Sequence, residues 1–172
     1  MSHQIYLTEG IILKKRDFGE ADRLFWIYTE KFGMIMASGR SVRAGKSKLR
    51  GGLHLFSYGK FALISSRELW KIVDTQDICQ VKNIALAGKF SGIAGLLLRM
   101  IKGQERNDFV WQELKCLFLA LFENKTKEKD LKDLEINFNA KILCELGYVA
   151  DLPKTKKEVV SAINRAIKES ML

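Results

Sequence analysis

Three cysteines and two histidines are all this chain offers to a metal ion or to a nucleophile and its base, and they are scattered. Cys79, Cys116 and Cys144 are single, far apart and odd in number, which argues against a disulfide framework. They read as small core residues of a reducing, cytoplasmic protein. With only His3 and His54 beside them, a closed zinc site or a histidine-based triad has almost no material. The carboxylates form no recognisable pair, so no catalytic residue, metal or cofactor is expected. No run of about 18 apolar residues exists, which excludes a transmembrane helix. The opening "MSHQIYLTEG" lacks a basic stretch followed by an apolar one, so no secretory signal is expected. One further absence is local. Between Glu30 and Glu68 there is no Asp or Glu at all.

That same span holds Lys31, Arg40, Arg43, Lys46, Lys48, Arg50, Lys60 and Arg67. The whole chain carries a formal net charge of +9, with 47% hydrophobic and 28% charged residues. This is the balance of a globular protein. The excess of positive charge favours a polyanionic partner (nucleic acid, an anionic membrane face or an acidic protein) over the alternative of a merely solvated basic surface.

The hydrophobic period changes near residue 80. Before it, "GIILKK" (10–15), "RLFWIYT" (23–29), "GMIMAS" (33–38), "LHLFSYGKFALIS" (53–65) and "LWKIVD" (69–74) are short, rich in β-branched and aromatic residues, and separated by Gly or charged turns. Alternation is clearest where Leu53, Leu55, Ser57, Gly59, Phe61 and Leu63 fall on one face. Five such strands predict a small closed barrel or a sandwich. Beyond residue 80, Ile84, Leu86, Ala87, Phe90, Ile93, Ala94, Leu97 and Leu98 recur with a helical period. "VWQELKCLFLALF" (110–122) is apolar nearly all round and is expected at the buried centre of a bundle. "NKTKEKD" (124–130) reads as a charged loop, and "LEINFNAKILCELG" (134–147) as a third helix closed by Gly147. After the single proline, Pro153, Thr155 and Glu158 have the spacing of a capping box opening a fourth helix. The expected fold is α+β: a β-barrel domain over 1–80 and an α-helical domain over 81–172, rigidly apposed.

Two motifs tempt and fail. "GRSVRAGKS" approaches a phosphate-binding P-loop, but Gly39 and Gly45 enclose one residue too many, and the following "KLRGGLHLF" reads as a strand rather than a helix. "DFG" (17–19) has no kinase companions. What survives is a basic, glycine-bearing loop between two strands. Arg40, Arg43, Lys46, Lys48 and Arg50 lie two or three residues apart, able to line one phosphate track and release its counterions. Lys14 and Arg16, ending the first strand, join this expected nucleic-acid-binding set. Phe18, Phe32, Phe56 and Tyr58 lie near enough to offer base-stacking rings, although an aromatic at such positions is more often core.

The order of these motifs resembles the RecO family of bacterial recombination mediators. Members open with Gly-Ile-Val-Leu, a Tyr-Gly-Glu-x-Asp turn and a strand ending in Thr. Here stand Gly10-Ile11-Ile12-Leu13, Phe18-Gly19-Glu20-Ala21-Asp22 and Tyr28-Thr29. The family's Gly-led strand, basic Lys-Gly-Ala-Arg-Arg-x-Lys-Ser loop and Leu-Gln-Pro-Phe segment correspond to Gly33, Ser38 to Arg43 with Lys46-Ser47, and Leu53-His54-Leu55-Phe56. "FNAKILCELGYVADL" (138–152) is similar to the family's Leu-Gly-Tyr segment. The resemblance implies an OB-fold followed by helices. It also implies binding to single- and double-stranded DNA, annealing of complementary strands, and work with RecR to load RecA. The helical domain would receive the acidic tail of the single-stranded-DNA-binding protein. The chain departs from the family in its shortness, in having Lys154-Thr155-Lys156-Lys157 where many members carry zinc-binding cysteines, and in Ile136-Asn137 where a basic residue often stands.

Lys102, Lys115 and Lys141, on separate predicted helices, are the expected amines for that acidic, partly hydrophobic tail. Two other functions fit the same charges. One is an RNA-binding OB module, distinguishable by competition between DNA and RNA of one sequence. The other is an adaptor for acidic proteins, distinguishable by single-strand binding at low and high salt.

Overall fold

The computed structural model describes residues 4–66, 69–123, 128–153 and 155–169, apart from the side chains at positions 50, 128–131 and 169. Five strands come first: β1 (Ile5–Phe18), β2 (Asp22–Thr29), β3 (Gly33–Gly39), β4 (Ser57–Ile64) and β5 (Trp70–Gln80). They close into a barrel in the order β1-β2-β3-β5-β4, with β3 and β5 parallel and the other pairs antiparallel. This is an OB-fold barrel. Strand β1 is long because it serves two partners. Its first half pairs with β4 from Ile5↔Ile64 to Ile11↔Tyr58, and its second half pairs with β2 from Gly10↔Thr29 to Phe18↔Asp22.

Alternation divides the strand residues between two cores. Ile12, Phe25, Ile27, Ile35, Ala37, Phe61, Leu63, Trp70 and Ile72 fill the barrel. Ile11, Leu13, Tyr28, Met34, Tyr58 and Cys79 face outward and are covered by helices. Those helices are α1 (Ile84–Met100), α2 (Asp108–Phe122), α3 (Glu128–Glu145) and α4 (Lys156–Glu169). Phe90, Leu97, Trp111, Leu114, Phe118, Phe138 and Ile142 complete the outer core, so one apolar cluster spans barrel and helices. A smaller cluster of Leu96, Met100, Leu143, Ala162 and Ala166 seats α4.

Asn83 caps α1 by accepting from the amides of Ala85 and Leu86, and Asn107 caps α2 through the amide of Val110. Gly147, at φ 77°, follows α3. Thr155 and Glu158 exchange the two bonds of a capping box.

Five expectations need correction. The segment 53–56 is not strand, because Phe56 takes a left-handed φ of 55° and β4 begins only at Ser57. After Ser47 the chain makes a single 3-10 turn, Lys48–Gly51, rather than a strand. Helix α2 is not a fully buried centre. It puts Val110, Trp111, Leu114, Leu117, Phe118 and Leu121 inward while Phe109, Cys116 and Phe122 stay exposed, since apolar composition does not say how many faces find a cover. Of the cysteines only Cys79 is buried. The expected loop at 124–130 falls partly outside the described residues, and positions 128–130 already belong to α3. No helix among the described residues is long and apolar enough to cross a membrane.

Candidate nucleic-acid interface

The basic site is built on a bulge. The β1–β2 register shifts between Ile12 and Lys14, so Leu13 has no partner and the alternation of β1 is reset. Without the extra residue Lys14 and Arg16 would follow Ile12 onto the inner face. With it, Lys15 pairs across from Phe25 and Asp17 from Arg23, on the face that continues the barrel interior. Lys14, opposite Trp26, and Arg16, opposite Leu24, point the other way. The Lys14 amine sits 4.9 Å over the Trp26 ring.

Across the barrel mouth lies the acid-free segment. It is a plug rather than a free loop. Val42 and Leu53 are buried in the barrel core, with Leu49 packed against it. The Ser41 amide donates to the Asp22 carboxylate at 2.8 Å and the Arg43 amide to the Ala21 carbonyl at 3.0 Å. Further turns form from Ala44 to Ser41 and from Ser47 to Ala44. His54 Nε2 bonds the Gly51 carbonyl at 3.1 Å. The polar remainder of the segment is left outside.

Plug and bulged ribbon together enclose a cleft of about 330 Å³ lined by Lys15, Arg23, Arg43 and His54 over Val42 and Leu53. Burial lowers the Lys15 pKa, and the neighbouring Arg23 charge lowers it further. Asp17 offsets part of this charge. It accepts from Arg23 Nε at 2.6 Å, lies 3.7 Å from Arg43 Nε, and is held below the usual carboxylate range, chiefly by the Arg23 hydrogen bond. Three cations thus share one acid, and an anionic guest would complete the neutralisation.

The expected residues divide. Arg43 lines the cleft; Arg40, Lys46 and Lys48 are exposed on the plug and make no ion pair among the described residues; the side chain of Arg50 lies outside them. Lys14 and Arg16 occupy the opposite face of the ribbon. Lys15, Arg23 and His54 were not singled out from the sequence, because strict alternation gave no sign of the bulge or of the plug. Among the aromatics, Phe56 and Tyr58 are buried in the outer core and Phe32 packs against Tyr6 and Trp70. Phe18 alone is largely free, at 51% exposure.

The three lysines expected to meet a peptide do not converge. Lys102 is exposed beyond the end of α1. Lys115 turns toward the barrel, donates to Glu9 at 2.9 Å, and lies over the Tyr58 and Trp111 rings. Lys141 bridges to Glu113 at 2.9 Å and lines an apolar groove of about 460 Å³ between α2 and α3, with Leu117, Leu134 and Phe138. Among the described residues no group of three or more His, Cys, Asp or Glu could hold a metal ion.

Residues 1–79 match the family described as Recombination protein O N terminal. Over a longer stretch the chain is similar to proteins named DNA repair protein RecO. It is 28% identical over 158 residues to that of Clostridium novyi (strain NT), covering 87% of this chain and 59% of the relative. With that of Dehalococcoides mccartyi (strain CBDB1) it shares 30% identity over 151 residues, covering 86% and 58%. With that of Clostridium acetobutylicum it shares 25% over 166 residues, covering 92% and 66%. The chain therefore spans less than two thirds of the length of these relatives.

Proposed function

The chain belongs to the RecO family, and from that premise we propose that it is a non-enzymatic, cytoplasmic DNA-binding mediator of repair and recombination. The observation that carries this reading is the cation-rich cleft of Lys15, Arg23 and Arg43 at the barrel mouth, extended over the plug by Arg40, Lys46 and Lys48. Phosphates entering it release condensed counterions, which drives binding whatever the sequence. A surface that neutralises phosphates on two strands at once lowers their mutual repulsion. That suffices for annealing single strands and for holding double-stranded DNA, without covalent chemistry. In this reading the barrel over residues 1–80 is the nucleic-acid-binding domain and the helices over 81–172 are the partner-binding domain. They serve RecR, RecA loading and the acidic tail of the single-stranded-DNA-binding protein, with the Lys141 groove as the place for the tail.

The test is the triple variant Arg40→Ala, Lys46→Ala, Lys48→Ala. These side chains are exposed, so the fold should survive with stability changed by about 0.5 kcal/mol or less per site. Single-strand affinity measured against salt should flatten by about 2 in log–log slope if all three meet phosphates. A folded triple variant with wild-type affinity and slope would refute the assignment of the plug.

A further inference from the structure

We propose that Phe18 is a base-stacking residue, so that the site prefers unpaired nucleic acid to duplex. This rests on the nucleic-acid reading of the cleft and adds what that reading lacks, since phosphate contacts alone do not distinguish a strand with accessible bases from one without.

Of the rings near the basic segment, Phe18 is the one with a face to offer. Phe56 stands edge-on to Phe90 with centroids 5.1 Å apart, and Phe32 is 4.8 Å from Trp70 and 5.6 Å from Tyr6. Tyr58 is buried, its hydroxyl given to Glu9. Trp26 shares the Phe18 face of the ribbon, but Lys14 covers its ring. Phe18 is 51% exposed and has no ring partner among the described residues.

A single exposed hydrophobic is ordinary on a protein surface. The placement of this one is not. Phe18 pairs with Asp22 to begin the β1–β2 turn, and the barrel mouth with its first turn is where OB-folds take up strands. Its chain neighbours on both sides hold the cleft cation Arg43: Asp17 lies 3.7 Å from the guanidinium and the Gly19 carbonyl accepts from it at 3.4 Å. The tip is thereby tied to the plug, and the ring is carried on a fixed backbone. Nothing stands within 4 Å of where a Cβ on Gly19 would lie, so the turn opens to solvent. Arg16 is two residues back on the Phe18 face, about 7 Å along the strand, while Lys15 and Arg23 are on the other. A strand crossing the tip can place phosphates against cations on either side and one base on the ring. Duplex bases already stack on one another and offer no such face without being opened.

The experiment compares oligothymidine, the same strand made abasic, and a duplex, each bound to wild type, Phe18→Ala, Phe18→Leu and Phe18→Trp. Wild type should favour oligothymidine over the abasic strand. Phe18→Ala should weaken oligothymidine binding by about five- to a hundredfold, the usual loss for one stacked base, while abasic and duplex affinities and the salt slope stay unchanged. Phe18→Leu keeps an apolar side chain without a π face and should behave like Ala; Phe18→Trp should retain binding. If Phe18→Ala and Phe18→Leu bind oligothymidine as wild type does, while Arg40→Ala, Lys46→Ala, Lys48→Ala binds it weakly, stacking is wrong and the cleft stands. If wild type binds none of the three ligands, the nucleic-acid reading falls and stacking with it.

Discussion

One ion pair ties the two halves together. Glu9 on β1 accepts from Lys115 of α2 at 2.9 Å and from the Tyr58 hydroxyl, with both ionic side chains mostly sheltered. The Lys115 bond, followed by that of Tyr58, holds the Glu9 pKa below its ordinary value, and the Glu9 bond raises that of Lys115. A depressed carboxylate stabilises the fold above its unfolded pKa and loses that contribution as pH falls through the folded one. A raised amine stabilises below its unfolded pKa and loses it at still higher pH. The pair should therefore contribute fully between about pH 5 and pH 10 and fade on both sides. Lys115→Met should cost about 1–3 kcal/mol at neutral pH and flatten the acid limb of melting temperature against pH. An unchanged acid limb would show that Glu9 does not sense Lys115. A second residue is decided by space. Gly33, at φ 63°, lies against the segment after α1, where an added Cβ would come 2.0 Å from the Glu105 carbonyl oxygen. Gly33→Ala combines a left-handed backbone with that collision and should cost at least about 2 kcal/mol in chemical denaturation.

At the level of elements, the strands and helices were legible where one face was wet and the other dry. The run Ile84 to Leu98 lies within α1, and the alternating Ser57, Gly59, Phe61 and Leu63 form one face of β4. What the sequence hid was any departure from periodicity. The bulge at Leu13 is one residue long and moves charge between faces without changing composition. The plug looked like a surface loop because its basic residues outnumber Val42, Leu49 and Leu53, yet those three anchor it. The candidate site was thus legible as a segment but not as a cleft. Ribbon variants separate the two descriptions. If the bulge sets the binding face, Lys15→Ala should flatten the single-strand salt slope by about 0.7, the share of one phosphate. Lys14→Ala, on the other face and engaged with Trp26, should leave the slope unchanged. The reverse result would move the binding surface to the outer face of the ribbon.

For the molecule as a whole, the decisive feature is that the part of the barrel's outer face beneath the helices is apolar. Ile11, Leu13, Tyr28, Met34, Phe56, Tyr58 and Val81 are buried only because α1, α2 and α3 lie over them. A barrel of this size has a small core of its own and would expose a large apolar surface if the helices left. Barrel and helices should therefore unfold together even though their periods differ. Phe118 is the probe of choice. It is fully buried on α2, with its ring centroid 5.3 Å from Phe90 of α1 and 6.4 Å from Tyr58 of β4. Replacing Trp26 and Trp111 by Phe leaves Trp70, in the barrel core, as the sole indole reporting the barrel, while circular dichroism reports the helices. In that background both signals should give one urea midpoint. Phe118→Ala should lower the two equally, by an amount equivalent to about 3–5 kcal/mol, because the cavity opens in a core that both halves share. If the helical signal shifted while Trp70 fluorescence kept its midpoint, the barrel would be an independent folding unit. A cleft on such a barrel would then feel the helices only by proximity, whereas a shared core makes any protein that binds the helices a stabiliser of the cleft as well.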